Sequence, residues 1–239
     1  MVQELRERVA KACRVLGKLE LTKAATGHIS ARVPGTETLL IRARGEGESG
    51  VRYTAPDDVI PVDFSGKKLA GRGDLEAPQE VFIHTWLYRT RPDVAAVVHA
   101  HPKTVVLFTI CNKPLLPIYG AYDPTSVKLL LEGIPLYPRS ITVSNDKLGE
   151  EFASTMKGHA CCLMRGHGIT TCGPSVEEAT LTAIKLNELA DMNYRAHLLG
   201  DPQPIPDEDI AHFKSGSKGK GKHSNALWRY YCSLVGEEG

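Results

Sequence analysis

Residues 94–101 read VAAVVHAH, and no other stretch restricts the fold so tightly. The run is short, valine-rich and bounded by Pro92 and Pro102, so it reads as a central β-strand. Alternation along a strand puts His99 and His101 on one face. Two imidazoles side by side on a buried strand repel each other if protonated and leave hydrogen bonds unmade if neutral. A shared cation removes both difficulties, because neutral imidazole is a good ligand for zinc, iron and manganese-type ions. A bare His-x-His pair also occurs as two satisfied core histidines.

Two more residues extend the pattern. His167 sits in RGHGIT between Gly166 and Gly168, and glycines there let the backbone come close to another group. The bland alternative is an exposed histidine in a glycine-rich turn. Glu80 lies near the start of a predicted helix, PQEVFIHTWLYRT, which has a proline in its first turn and stops before Pro92. Its carboxylate can ligate a metal, act as acid or base, or simply cap the helix. His84, one turn later on the same face, is placed to support a ligand from behind.

The rest of the chain supplies a scaffold. A charged amphipathic helix is expected over 2–19, ending near Gly17. Strands are expected around 28–33, 38–43 and 51–54, with Gly45 to Gly50 as a turn. Helices follow at about 103–111 and 125–132. HACCLMRGHGITTCG reads as strand, loop and strand. Ser175 and Glu178 form a capping box heading a long helix that closes at Gly200. Strands and helices alternate, so the class is α/β, one domain over 1–239 with much of its sheet antiparallel.

Composition excludes several functions. The net charge is +1, so no overall field draws the chain to nucleic acid or an anionic membrane. The apolar runs are far shorter than a membrane span, and the N-terminus lacks the pattern of a signal peptide. Six cysteines are too few for a disulfide scaffold, which points to reduced thiols and a cytoplasmic location. The stretch 214–223, KSGSKGKGKH, is expected to be mobile. It is either a basic lid over an anionic substrate or a plain surface loop. The aromatic segment NALWRYYCSLV after it should pack against the body.

Taken together, these residues resemble the class II aldolase/adducin family from about Leu5 to Gly200. The block EVFIHTWLYRTRPDVAAVVHAHP together with RGHGITTCGPSVEEA carries the resemblance. It implies a class II aldolase-like α/β/α fold, with a central, mostly antiparallel sheet flanked by helices. It also implies one divalent metal ion per subunit on His99, His101 and His167, with Glu80 as a catalytic acid able to reach the metal. Homotetramers with sites between subunits are likewise implied. Sugar-phosphate members hold phosphate through positions that here read Gly27-His28, Ala55-Pro56 and Pro78-Gln79, where most small hydroxyls and open amides are gone. In their place stand Arg42 and Arg44. Two guanidinium forks on one strand face suit carboxylates, although such a face can also be merely solvated.

The combination resembles the family's decarboxylase branch, which acts on hydroxypyridine dicarboxylates and dihydroxyphthalates. The function expected is a metal-dependent carbon–carbon lyase that decarboxylates a hydroxylated aromatic acid. Manganese is favoured, with zinc, iron or cobalt as alternatives. The substrate is a small carboxylate held by Gly27, His28, Arg42 and Arg44, with Trp228, Tyr230 or Tyr231 closing the site of its own or of a neighbouring subunit. The rivals are an aldolase acting on a non-phosphorylated hydroxy-keto acid and a non-enzymatic adducin-like interaction domain. The second fits poorly, because adducin-type domains lose the metal ligands.

Overall fold

The computed structural model describes residues 1–215 and 222–237. Helix α1 (Val2–Lys18) opens the chain, followed by strands β1 (His28–Arg32), β2 (Thr38–Arg42) and β3 (Arg44–Gly45). Next come β4 (Val59–Asp63), β5 (Leu75–Glu76), α2 (Val81–Thr90), β6 (Ala96–Ala100) and α3 (Lys103–Ile110). Helix α4 (Pro124–Leu131), β7 (Leu136–Tyr137), α5 (Asp146–Met156), β8 (Cys161–Met164) and β9 (Gly168–Gly173) lead to α6 (Val176–Leu199). Helices α7 (Asp207–Ser215) and α8 (Lys222–Ser233) complete the order.

Seven strands form one sheet in the order β4-β2-β1-β6-β9-β8-β7, with the histidine strand β6 at its centre. Every pairing is antiparallel except β7 with β8. Alternation sorts the β6 side chains between two cores. Val98 and Ala100 pack with α1, α3, α6 and α8 on one face, and Val97 packs with α2 and α5 on the other. His99 has the parity of Val97 and therefore lies on the α2 side.

Local chemistry fixes the helix ends. Ser175 Oγ accepts from the Glu178 amide at 3.1 Å at the head of α6, and Asp123 and Asn145 cap α4 and α5 in the same way. Two expectations change. Residues 51–54 are not a strand: Val51–Tyr53 form a single 3₁₀ turn that docks on α1. Gly17 permits this approach, since a Cβ there would lie 2.7 Å from Arg52 Cα, and α1 runs past it to Lys18. Helix α2 begins at Val81 rather than at Pro78, which leaves Glu80 on its boundary.

Of the basic stretch 214–223, residues 216–221 lie outside the described residues. No helix among the described residues is long and apolar enough to cross a membrane. The six cysteines are free, and burial pushes the Cys161 and Cys162 thiols up to about 12.

Candidate metal centre

Four side chains from three parts of the fold converge. Glu80 comes from the start of α2, His99 from β6, His101 from just past the end of β6, and His167 from the turn between β8 and β9. One potential ligand atom from each lies within 4.8 Å of the others. His99 Nε2 and His101 Nε2 are 2.9 Å apart, and Glu80 Oε2 stands 3.2 Å from His99 Nε2 and 3.5 Å from His167 Nε2. The two expected strand histidines thus converge although β6 ends at Ala100.

The turn before β9 explains the glycines around His167. Gly166 has φ +58°, the left-handed region that glycine tolerates best. Gly168 is needed for space: a Cβ there would lie 2.3 Å from the Ala100 carbonyl oxygen and 2.8 Å from His101 Cδ2. The glycine therefore lets one ligand strand lie against the other.

The donor set fits a divalent cation. Three imidazoles and one carboxylate crowd together at distances that suit shared coordination better than a hydrogen-bond network. His99 Nδ1 lies 3.3 Å from Thr170 Oγ1, directly across the β6–β9 ladder, which leaves Nε2 facing Glu80 and His101. Burial, and then the neighbouring His99 and His167, hold His101 down at about 3, so its lone pair is available. Burial alone would raise the Glu80 carboxyl. The imidazoles of His99, His167 and His28 override it and hold Glu80 well below the carboxylate range. Glu80 Oε1 accepts from the Val143 amide at 3.1 Å, and its side chain makes no capping bond to α2. Its carboxylate serves the cluster and does not cap the helix.

His28 enters the same space. It pairs with His99 across the β1–β6 ladder, with ring centroids 5.0 Å apart, and its Nε2 is 4.0 Å from Glu80 Oε2. Behind it runs a buried chain. His28 Nδ1 meets His84 Nε2, His84 Nδ1 meets Ser30 Oγ, and Ser30 Oγ meets the Tyr88 hydroxyl, each at 2.7 Å. His84 thus backs His28 and not a metal ligand. Ser30 and Tyr88 had no signal of their own in the sequence, although Ser30 shares the strand face of His28 and Tyr88 lies one helical turn beyond His84.

The two arginines part company. Arg42 shares the parity of Leu40 and points to the α1 side of the sheet, across from the histidines. It is buried, and its guanidinium bonds Thr54 Oγ1, the carbonyls of Ala25 and Gly27, and Glu48. The expected pair of forks on one face does not form, because the main sheet ends for β2 at Arg42 and Arg44 belongs to the separate β3–β5 ribbon. Arg44 is half-buried, 3.5 Å from Glu48 Oε1, and close enough to Glu80, His28 and His101 to act on each electrostatically. Gly27, at φ +74°, gives its carbonyl to Arg42.

The aromatic C-terminal segment packs elsewhere. Trp228 and Tyr231 join the core on the α1–α6 side, and Tyr231 donates to Glu188 at 3.0 Å beside a cavity of about 660 Å³. Neither closes the metal centre of its own chain. Tyr230 is exposed on α8.

The chain has relatives among known proteins. Residues 7–194 match the family model described as Class II Aldolase and Adducin N-terminal domain. The chain is 39% identical over 235 residues to a 3,4-dihydroxyphthalate decarboxylase of Arthrobacter keyseri, covering 96% of this chain and 93% of the relative. A protein of the same name from Rhodococcus jostii is 36% identical, with 93% and 92% covered. Among solved structures, an aldolase II superfamily protein from Pseudomonas syringae superposes with a TM-score of 0.86 at 22% identity, covering 98% of this chain and 92% of that one.

Proposed function

Since the chain belongs to the class II aldolase and adducin family, we propose that it is a metal-dependent carboxy-lyase that releases CO2 from a hydroxylated aromatic dicarboxylic acid of the dihydroxyphthalate type. The observation that carries this reading is the placement of half-buried Arg44 and of His28 beside the quartet of Glu80, His99, His101 and His167. Such a rim matches a substrate with two carboxylates. The similarity to two 3,4-dihydroxyphthalate decarboxylases along nearly the whole chain supports it independently.

His99, His101 and His167 would hold the cation, with Glu80 in reach of it. Manganese is the ion we favour, because the oxygen donors of a hydroxy-carboxylate substrate would suit it. When bound, the cation supplies Lewis-acid stabilisation of the negative charge that carbon–carbon cleavage leaves on the substrate.

The chain's own residues do the rest. Glu80, ionised in the resting site, takes the proton of the substrate hydroxyl beside the departing carboxylate. Glu80 then gives that proton to the ring carbon bearing the departing carboxylate, which turns the hydroxyl oxygen into a ketone oxygen. The carbon–carbon bond breaks, its electron pair passes through the ring onto that oxygen as CO2 leaves and aromaticity returns, and the product oxygen takes a proton from water on release. Arg44 holds the carboxylate that remains, exchanging its partner Glu48 for the substrate. We take the working form to be a homotetramer, in which exposed Tyr230 is free to meet a neighbouring subunit.

The test is incubation of manganese-loaded protein with 3,4-dihydroxyphthalate, following CO2 and the ring product. Stoichiometric CO2 supports the reading. Release of an aldehyde or pyruvate from hydroxy-keto acids, with no CO2 from aromatic acids, would favour the aldolase instead.

A further inference from the structure

We propose that Tyr88, Ser30 and His84 form a one-way hydrogen-bond chain that fixes His28 as an Nε2–H donor aimed into the metal centre, where it receives an anionic oxygen of the substrate. The substrate clause rests on the carboxy-lyase reading; the direction of the chain does not.

The number of protons in the chain fixes its direction. Tyr88, Ser30, His84 and His28 are all buried, so every polar hydrogen between the Tyr88 hydroxyl and His28 Nδ1 needs an acceptor inside the protein, while His28 Nε2 faces the site. Ser30 is the one acceptor for the Tyr88 hydroxyl among the described residues, since the Val97 backbone beside it acts as a donor. The Tyr88 proton must therefore point at Ser30 Oγ. Ser30 then gives its own proton to His84 Nδ1, which must be bare. A neutral His84 carries its proton on Nε2 and donates it to His28 Nδ1. His28 is left with its proton on Nε2, the nitrogen that stands 4.0 Å from Glu80 Oε2.

The opposite direction fails at its far end. If His28 donated from Nδ1, whether neutral with a bare Nε2 or doubly protonated, every step would reverse. Ser30 would then donate to Tyr88, and the Tyr88 proton would be buried without an acceptor. The phenol thus decides a tautomer three hydrogen bonds away, at the edge of the reacting site. Tyr88, Ser30 and His84 are positioning residues, and His28 is the group that meets the ligand. A fixed neutral donor suits a carboxylate or a phenolate oxygen. It also leaves Glu80 as the proton carrier, with no competing base on that side.

Selective ¹⁵N labelling of histidine in zinc-loaded protein reads the tautomers directly, with His28→Gln and His84→Gln assigning the signals. Pyrrole-type Nε2 and pyridine-type Nδ1 at both residues is the expected pattern. A pyridine-type Nε2 or a doubly protonated ring at His28 would overturn the proposal. In Tyr88→Phe the direction is no longer imposed, so both histidines should exchange between tautomers. Ser30→Thr, which keeps the hydroxyl, should retain the wild-type pattern. If Tyr88→Phe does not fold, Ser30→Ala takes its place, since it also cuts the chain between Tyr88 and His84. A single unchanged tautomer in the variant that breaks the chain refutes the role of Tyr88. In that variant KM for 3,4-dihydroxyphthalate should rise about tenfold with bound metal unchanged; an unchanged KM removes His28 from substrate binding. A protein with the stated tautomers but no CO2 release keeps the chain and refutes the reaction, whereas CO2 release with reversed tautomers does the opposite.

Discussion

Glu80 Oε2 lies 3.2 Å from His99 Nε2, while the other oxygen of the same carboxylate accepts from the Val143 amide at 3.1 Å. One oxygen faces the ligand array and the other is anchored on the main chain, so charge and position are separable. Glu80→Gln retains an acceptor for Val143 but removes the proton carrier. We expect kcat to fall about a hundred- to ten-thousand-fold, with a circular dichroism spectrum like that of the wild type. A variant that keeps most of its turnover would take Glu80 off the proton path.

Thr170 faces His99 Nδ1 at 3.3 Å and touches neither Glu80 nor His101 through a hydrogen bond. Thr170→Val keeps the side chain's shape and removes that partner. Metal affinity, measured by chelator competition, should weaken about 10- to 100-fold.

Gly168 has no room for a side chain. The added methyl group of Gly168→Ala would meet the Ala100 carbonyl and the His101 ring. The strand must move, and His101 with it. The expected result is a folded protein with substoichiometric metal at concentrations that saturate the wild type.

Arg42 and Arg44 should separate stability from binding. Arg42→Ala strips partners from the Ala25 and Gly27 carbonyls and from Glu48, so unfolding free energy should drop by about 3–5 kcal/mol in a urea titration. Arg44→Ala should leave the urea midpoint nearly unchanged and raise KM for a dicarboxylate. The reverse assignment would show that Arg42, not Arg44, meets the substrate.

Acid should unfold the protein through its buried imidazoles. Burial, and then His99, lower His84 from 6.5 to about 3, and burial, followed by His84 and His99, lowers His28 in the same direction. Both groups are neutral in the folded chain, whereas the unfolded chain takes up protons below about 6.5. Between these limits the unfolded state binds more protons, so stability rises with pH. For His84 the contribution is complete above about 6.5 and is lost as pH falls toward 3, at up to about 1.4 kcal/mol per pH unit, and His28 acts in the same direction. His84→Gln should flatten the dependence of the urea midpoint on pH between about 7 and about 5.

The fold was legible where periodicity was strong. VAAVVHAH declared a central strand, and Ser175 marked the head of α6 by its own capping bond. Residues 51–54 misled because a short apolar and aromatic run looks the same in a strand and in a 3₁₀ turn, and what decides is docking on Gly17. At the site, His99, His101 and His167 stood out because alternation and flanking glycines have local meaning, and Glu80 stood out by its place near a helix start and by the family resemblance. Arg42 failed because alternation was carried past the end of a strand and because the face it would occupy was unknown. Ser30, Tyr88 and Val143 were silent: their roles depend on which helix covers which face, and single-residue patterns do not encode that.

The quartet draws on the start of α2, the end of the central strand and the β8–β9 turn, so its members come together only when the middle of the sheet is built. A cation seated there is a cross-link as much as a reagent. An ion that binds the folded chain alone adds about 4 kcal/mol of stability at a thousandfold excess over its dissociation constant. Metal supply then governs how long each molecule survives as well as how fast it turns over. Under scarcity, the loss of activity would reflect missing ions and a shrinking population of intact protein together.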